Sequence, residues 1–291
     1  MLTFSKGERV FDGIIIIVLA LFALTVIIPF WYIIVMSLTP LEVWSKTRTA
    51  FFPPLDKITF AGYEQLLTSA RLPRSFAVSV GITVVGTALN LLVTTMMAYP
   101  LSLSHFRLRG PILIAVLFTL LFSGGLIPTY LLVRDLQLMD TYWALILPGL
   151  VSAWNLLVMK AFFEGLPPEL RDAARIDGAS DWQVFWQIVL PLSKPILATI
   201  GLFYAVAHWN EFFNAILYIQ SSEKQPLQIV LRELLSSGNM NEFVDINVRS
   251  IVPTQSLRAA AVIIAVVPML MVYPFLQRHF TKGVLLGSIK G

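Results

Sequence analysis

Five polar side chains stand inside an otherwise oily run: His208, Trp209, Asn210, Glu211 and, one turn further on, Asn214. The run extends from Pro195 to Ser222, and Glu211 is its only Asp, Glu, Lys or Arg. A charged side chain at the centre of a bilayer costs roughly 2.5–3.5 kcal/mol on insertion-type scales, so Glu211 must face protein or water. Three chemistries suit this group. A carboxylate and two amides bond sugar hydroxyls while an indole stacks on a pyranose face. The same atoms can clasp neighbouring helices by hydrogen bonds. Alternatively, Glu211 can serve as the proton or cation site of an ion-coupled secondary transporter.

Other chemistries find no support. The chain has no cysteine, so disulfides, thiolate nucleophiles and cysteine metal sites are excluded. Its three histidines, at 105, 208 and 279, are too scattered for a metal site, and no His-Glu-x-x-His pattern occurs. No Gly-x-x-x-x-Gly-Lys-Ser/Thr loop is present to hold ATP phosphates, and no nucleophile elbow supports a Ser-His-Asp arrangement. The chain therefore reads as neither an enzyme nor a cofactor binder. A net charge of +4 suits a membrane surface and does not indicate nucleic acid.

The elements that must position the polar cluster are membrane spans. The 291 residues are 57% hydrophobic and 13% charged, about half the charge of a soluble domain. Residues 13–41 carry no Asp, Glu, Lys or Arg, enough to cross a hydrocarbon core of about 30 Å. Lys6 and Arg9 precede this run as in a signal peptide, but it is too long and lacks a small-residue cleavage site, so an uncleaved span with a kink at Pro29 is expected. Further spans are expected at 75–104, 110–133, 141–159, 195–222 and 259–277. Phe122-Ser123-Gly124-Gly125 and Pro128 should loosen the third, Pro148-Gly149 sits within the short fourth, and an amphipathic helix is expected near Ile229 to Leu235. The expected fold is an all-α integral membrane protein with six transmembrane helices. Residues 1–12 form a tail, 13–281 one membrane domain and 282–291 a second tail.

Charge does not orient these spans. With both termini cytoplasmic, eleven Lys and Arg fall inside and ten outside. The positive-inside rule is therefore nearly silent.

A charged interruption at 166–195 organises the chain. Pro167 and Pro168 suit the first turn of a helix, which needs no N–H from them. The helix should run to about Asp177 and break at Gly178, whose missing Cβ permits a left-handed backbone. Ser180 then opens a second helix, with Gln183 three residues on completing a capping-box pattern. Trp182, Phe185, Trp186 and Val189 follow as one apolar stripe. The result is a helix–glycine–helix elbow.

Within it, Asp172-Ala173-Ala174 is followed by three residues, Gly178, nine residues and Ile188-Val189-Leu190-Pro191. This pattern resembles the coupling loop of bacterial ABC importer permeases, whose signature is Glu-Ala-Ala, three residues, Gly, nine residues and Ile-x-Leu-Pro. Asp172 replaces the usual Glu, keeping the charge on an arm one methylene shorter. Asp177-Gly178-Ala179, with Phe185 before Ile188, looks like the sugar-transporting, maltose-permease-like branch. The wording from Phe122 to Tyr130 resembles the subgroup for oligosaccharides of alginate or pectin. The resemblance implies a cytoplasmic elbow in a bacterial inner-membrane protein with both termini cytoplasmic. Asp172, Ala173, Ala174, Asp177, Gly178 and Ala179 would then contact an ATPase. It further implies a second, related permease, two ATPase subunits that bind ATP and Mg, an extracytoplasmic sugar-binding protein and an oligosaccharide substrate. Trp-Asn-Asp/Glu-Phe recurs in this family's fifth span, which fits either a pathway wall or a helix clasp at 208–214.

Overall fold

The computed structural model describes residues 6–40, 42, 43, 52, 57–236 and 253–288. In chain order its helices are α1 (Lys6–Ser37), α2 (Ala61–Thr68), α3 (Arg71–Ser102), α4 (Arg109–Leu121), α5 (Leu126–Asp135), α6 (Trp143–Ile146), α7 (Ala153–Glu164), α8 (Pro168–Ile176), α9 (Asp181–Val184), α10 (Lys194–Trp209), α11 (Phe213–Tyr218), α12 (Leu227–Ser236) and α13 (Thr254–Ser288). A π-helical turn, Phe185–Val189, follows α9. No strand occurs among the described residues.

Among the described residues, three segments are long and apolar enough to cross a bilayer as single helices: Val10–Ser37, Arg71–Ser102 and Thr254–Val272. The other expected spans are broken. The third divides into α4 and α5, with a bend of 115° between them. Gly125 makes that corner at φ +88°, a conformation that L side chains rarely adopt. The fourth is interrupted between α6 and α7, where Pro148 lacks an N–H and Ser152 caps α7 by accepting from the Asn155 N–H at 3.4 Å. The fifth stops at Trp209 and resumes at Phe213. Segment Asp181–Leu192 joins α10 at a bend of 79°. The amphipathic helix expected near Ile229 to Leu235 is α12. Polar loops are expected at 42–74 and from 223 to about 256, and Pro53 and Gly238 within them lie outside the described residues.

The chain forms two compact units. The first comprises residues 1–73 and 233–267. There Ser37 Oγ pairs with the Tyr63 hydroxyl at 2.7 Å, Ser256 Oγ donates to the Thr39 carbonyl at 2.9 Å, and Arg71 forms an ion pair with Glu233. The second comprises 74–232 and 268–291, and among the described residues it contains two buried clusters. One gathers Tyr99, Leu156, Phe163, Phe185 and Tyr204, and the other Ile82, Val133, Leu145, Tyr218 and Ile229.

Candidate coupling elbow and polar cluster

α8 starts on Pro168 and ends in a Schellman motif. The Ala179 N–H donates to the Ala174 carbonyl at 2.9 Å, and the Gly178 N–H donates to the Arg175 carbonyl at 3.1 Å. This closure needs a left-handed residue after the cap, and Gly178 supplies it at φ +83°. The expected capping box is present. Ser180 Oγ accepts from the Gln183 N–H at 3.3 Å, and Gln183 Oε1 accepts from the Ser180 N–H at 2.8 Å. Hence the sequence turns the chain sharply and leaves few backbone donors unpaired.

One face of the elbow is buried and the other bare. Ala174, Val184, Phe185 and Val189 enter the cluster around Tyr99, whose ring centroid lies 5.0 Å from that of Phe185. Asp172, Ala173, Asp177 and Gly178 are exposed, and Ala179 is half-buried. Ile176 is 87% exposed and Trp182 57% exposed. Beside Asp172 lies a polar cavity of about 450 Å³, lined among others by His105, Arg109, Glu164, Arg171 and Arg175. Glu164 accepts from both Arg109 and Lys160 there, the latter at 2.8 Å.

The five polar residues of the fifth span separate into two groups. His208 and Trp209 are buried. His208 Nε2 lies 2.8 Å from Asn90 Oδ1, and Trp209 meets Phe76 edge-on at 5.7 Å between centroids. Asn210 is exposed, with Nδ2 donating to the Val206 carbonyl at 2.9 Å. Glu211 sits in the break after α10, half-buried, and accepts from the Asn214 N–H and from Asn214 Nδ2, both at 3.1 Å. A carboxylate at the start of α11 satisfies an orphan helix donor and favours the positive end of that helix.

Residues 75–286 match the family described as the binding-protein-dependent transport system inner membrane component. The chain belongs to this family. It is 47% identical to Protein LplC of Bacillus subtilis (strain 168) over 288 residues, covering 99% of this chain and 97% of that one. It is 42% identical to the polygalacturonan/rhamnogalacturonan transport system permease protein YtcP of the same organism, covering 98% and 99%. Among solved structures it matches a chain from the crystal structure of a bacterial ABC transporter involved in the import of the acidic polysaccharide alginate. The TM-score is 0.89 at 31% identity, covering 96% of this chain and 100% of that one. The chain is therefore a permease subunit of an ABC importer and a membrane protein, and such permeases are not themselves enzymes.

Two features of this permease carry no local sequence signal. Asn90 meets His208 across 118 positions. Asp140, between the third and fourth expected spans, is the hub of a knot and is held at φ +56°. Its N–H donates to the Tyr218 carbonyl at 2.8 Å, and its carboxylate accepts from the Gln220 and Ser221 N–H groups, Ser221 Oγ and Lys224 Nζ at 2.6–3.0 Å. The Lys224 and Ser221 hydrogen bonds hold this carboxyl well below the usual carboxylate range. Aspartates tolerate left-handed φ better than most residues, which only structure turns into a prediction.

Proposed function

We propose that this permease is one half of a sugar importer and couples to an ATPase through the elbow. The single observation that carries the reading is the capped glycine elbow with its exposed Asp172, Ala173 and Gly178. Small residues there permit close approach of a partner, and Asp172 supplies a charge for it to recognise. The partners are a second permease, two ATPase subunits that bind ATP and Mg, and an extracytoplasmic binding protein. The elbow and both termini face the cytoplasm of a bacterial inner-membrane protein. Residues 13–281 act as one membrane domain between two tails.

The cargo is an oligosaccharide, and the relatives' names favour fragments of acidic polysaccharides. The 208–214 segment forms part of the pathway wall. Asn210, Glu211 and Asn214 offer hydroxyl-binding groups, and His208 and Trp209 back them from the buried side. Two measurements test the proposal. The cognate binding protein is titrated with galacturonate, mannuronate and neutral oligosaccharides, with tight binding expected for an acidic member and for none if the sugar reading is wrong. The chain is also purified with its ATPase and with Ala173→Trp. The wild type should retain the ATPase and the variant lose it, and equal retention would remove the elbow from the interface.

A further inference from the structure

The break in the fourth span poses a problem of unpaired backbone. Between α6 and α7 the carbonyls of Gly149 and Leu150 and the N–H of Ser152 have no helical partner, within a run that the sequence reads as a membrane span, and a break in a span needs its freed backbone groups paired. Two side chains of the second unit answer all three. Asn90 of α3 donates through Nδ2 to Gly149 O at 2.8 Å and to Leu150 O at 2.9 Å. The Tyr204 hydroxyl of α10 accepts from the Ser152 N–H at 3.0 Å.

Each of these groups is held by a second partner on the other helix. With both carbonyls on its amide nitrogen, Asn90 turns Oδ1 toward His208 and can only accept there, so His208 Nε2 carries the proton. Tyr204 pairs with Thr94 Oγ1 at 2.8 Å. Asn90 and Thr94 are four residues apart on α3, as are Tyr204 and His208 on α10, so each pair shares a helix face. The helices run antiparallel, and the contacts stack as two tiers: Asn90 with His208, Thr94 with Tyr204. Asn90 and Thr94 are fully buried, and Tyr204 and His208 nearly so. Glycines flank the tiers. A Cβ on Gly86 would lie 2.5 Å from His208 Nε2, and one on Gly201 would lie 3.2 Å from Leu91 Cδ1.

The same helix continues from the elbow. α10 begins at Lys194, just past the bend, and Tyr204 and Ile200 belong to the buried cluster that holds Val184, Phe185 and Val189. We infer that Asn90, Thr94, Tyr204 and His208 form a two-tier polar clasp that fastens the 147–152 break and α3 to α10, so that the three move as one body with the elbow. These are positioning residues for transport. The inference rests on the importer reading, because it assigns the clasp the task of carrying elbow motion into the membrane.

The test uses the whole importer, purified with its partner subunits in lipid nanodiscs. The chain has no cysteine, so paired spin labels can be placed at will. One pair reports the clasp: exposed Gln187 on the elbow and exposed Leu147 in the break. A control pair joins Gln187 to the elbow of the sister permease. Distances are measured without nucleotide and with ATP and vanadate. The control pair should shift with nucleotide, whereas the 147–187 distance stays single and unchanged. Asn90→Leu combined with Tyr204→Phe should lose that single distance and make it nucleotide-dependent while ATP hydrolysis persists. His208→Gln, which keeps a donor toward Asn90, should preserve it where His208→Leu does not. A 147–187 distance that shifts with nucleotide in the wild type, or stays single in the double variant, overturns the clasp. A control pair that ignores nucleotide overturns the importer reading and the clasp's task with it.

Discussion

Arg175 reaches across Gly178 to Asp181, its Nη2 and Nε lying 2.8 and 3.2 Å from the same carboxylate oxygen. The hydrogen bond to Asp181 raises the guanidinium above its usual range. Both side chains are more than one-third exposed, however, and solvent screens them. Arg175→Ala is expected to cost about 1 kcal/mol or less. A thermal unfolding midpoint within a few degrees of wild type would agree, and a collapse would show that the bridge carries the elbow.

Gly178 is the harder position to change. A β-branched residue at φ +83° costs about 1–2 kcal/mol in local strain, although a Cβ there would meet nothing within 4 Å. Gly178→Val should abolish uptake while leaving membrane insertion intact. Wild-type uptake by this variant, at equal membrane abundance, would remove the elbow's assigned role.

Acid should loosen the Asp140 knot in a defined window. The folded carboxyl titrates below its unfolded value of about 3.9. Its contribution is therefore complete above that value and is lost as pH falls toward the lower folded value. The stability gap between wild type and Asp140→Asn should stay constant from about pH 8 to 5 and narrow below about pH 4. Unfolding in detergent across that range measures it, and a gap that widens in acid would contradict the ion pair with Lys224.

Glu211 separates ATP-driven import from proton coupling. Its amide analogue can still accept from Asn214, so Glu211→Gln should retain ATP-dependent uptake. Glu211→Leu leaves those donors unpaired at about 1–3 kcal/mol and should lose far more. Uptake by unmutated protein that follows a proton gradient without ATP would favour the ion-coupled mechanism instead.

Topology follows from single-cysteine labelling. Position 178 should react only from the cytoplasmic side, and exposed Glu223 only from outside. Labelling of 178 in intact cells by an impermeant reagent would invert the orientation.

Much of the elbow was legible because its determinants are local. Pro168, Gly178, Ser180 and Gln183 each act within one turn of chain, and each does in space what its spacing implies. Hydropathy likewise located the first, second and last long helices. It did not reveal that three other apolar runs are broken, because hydropathy counts side chains and ignores where backbone bonds go. Gly125 and Pro148 hinted at two of the breaks. Nothing local could say that Asn90 and Tyr204 would repair the one at 147–152. The 208–214 cluster looked like one constellation, yet His208 turns inward to α3 and Glu211 turns back on α11.

The π turn at Phe185–Val189 also bears on how chain length can vary. A π turn absorbs roughly one residue more than an α turn, so the elbow stores a surplus residue just before the bend into α10. A one-residue deletion inside 185–189 can be taken up by rewinding to α, with everything downstream still in phase. The same deletion after Lys194 has no such slack. It would rotate the remainder of α10 by about 100° and carry His208 away from Asn90.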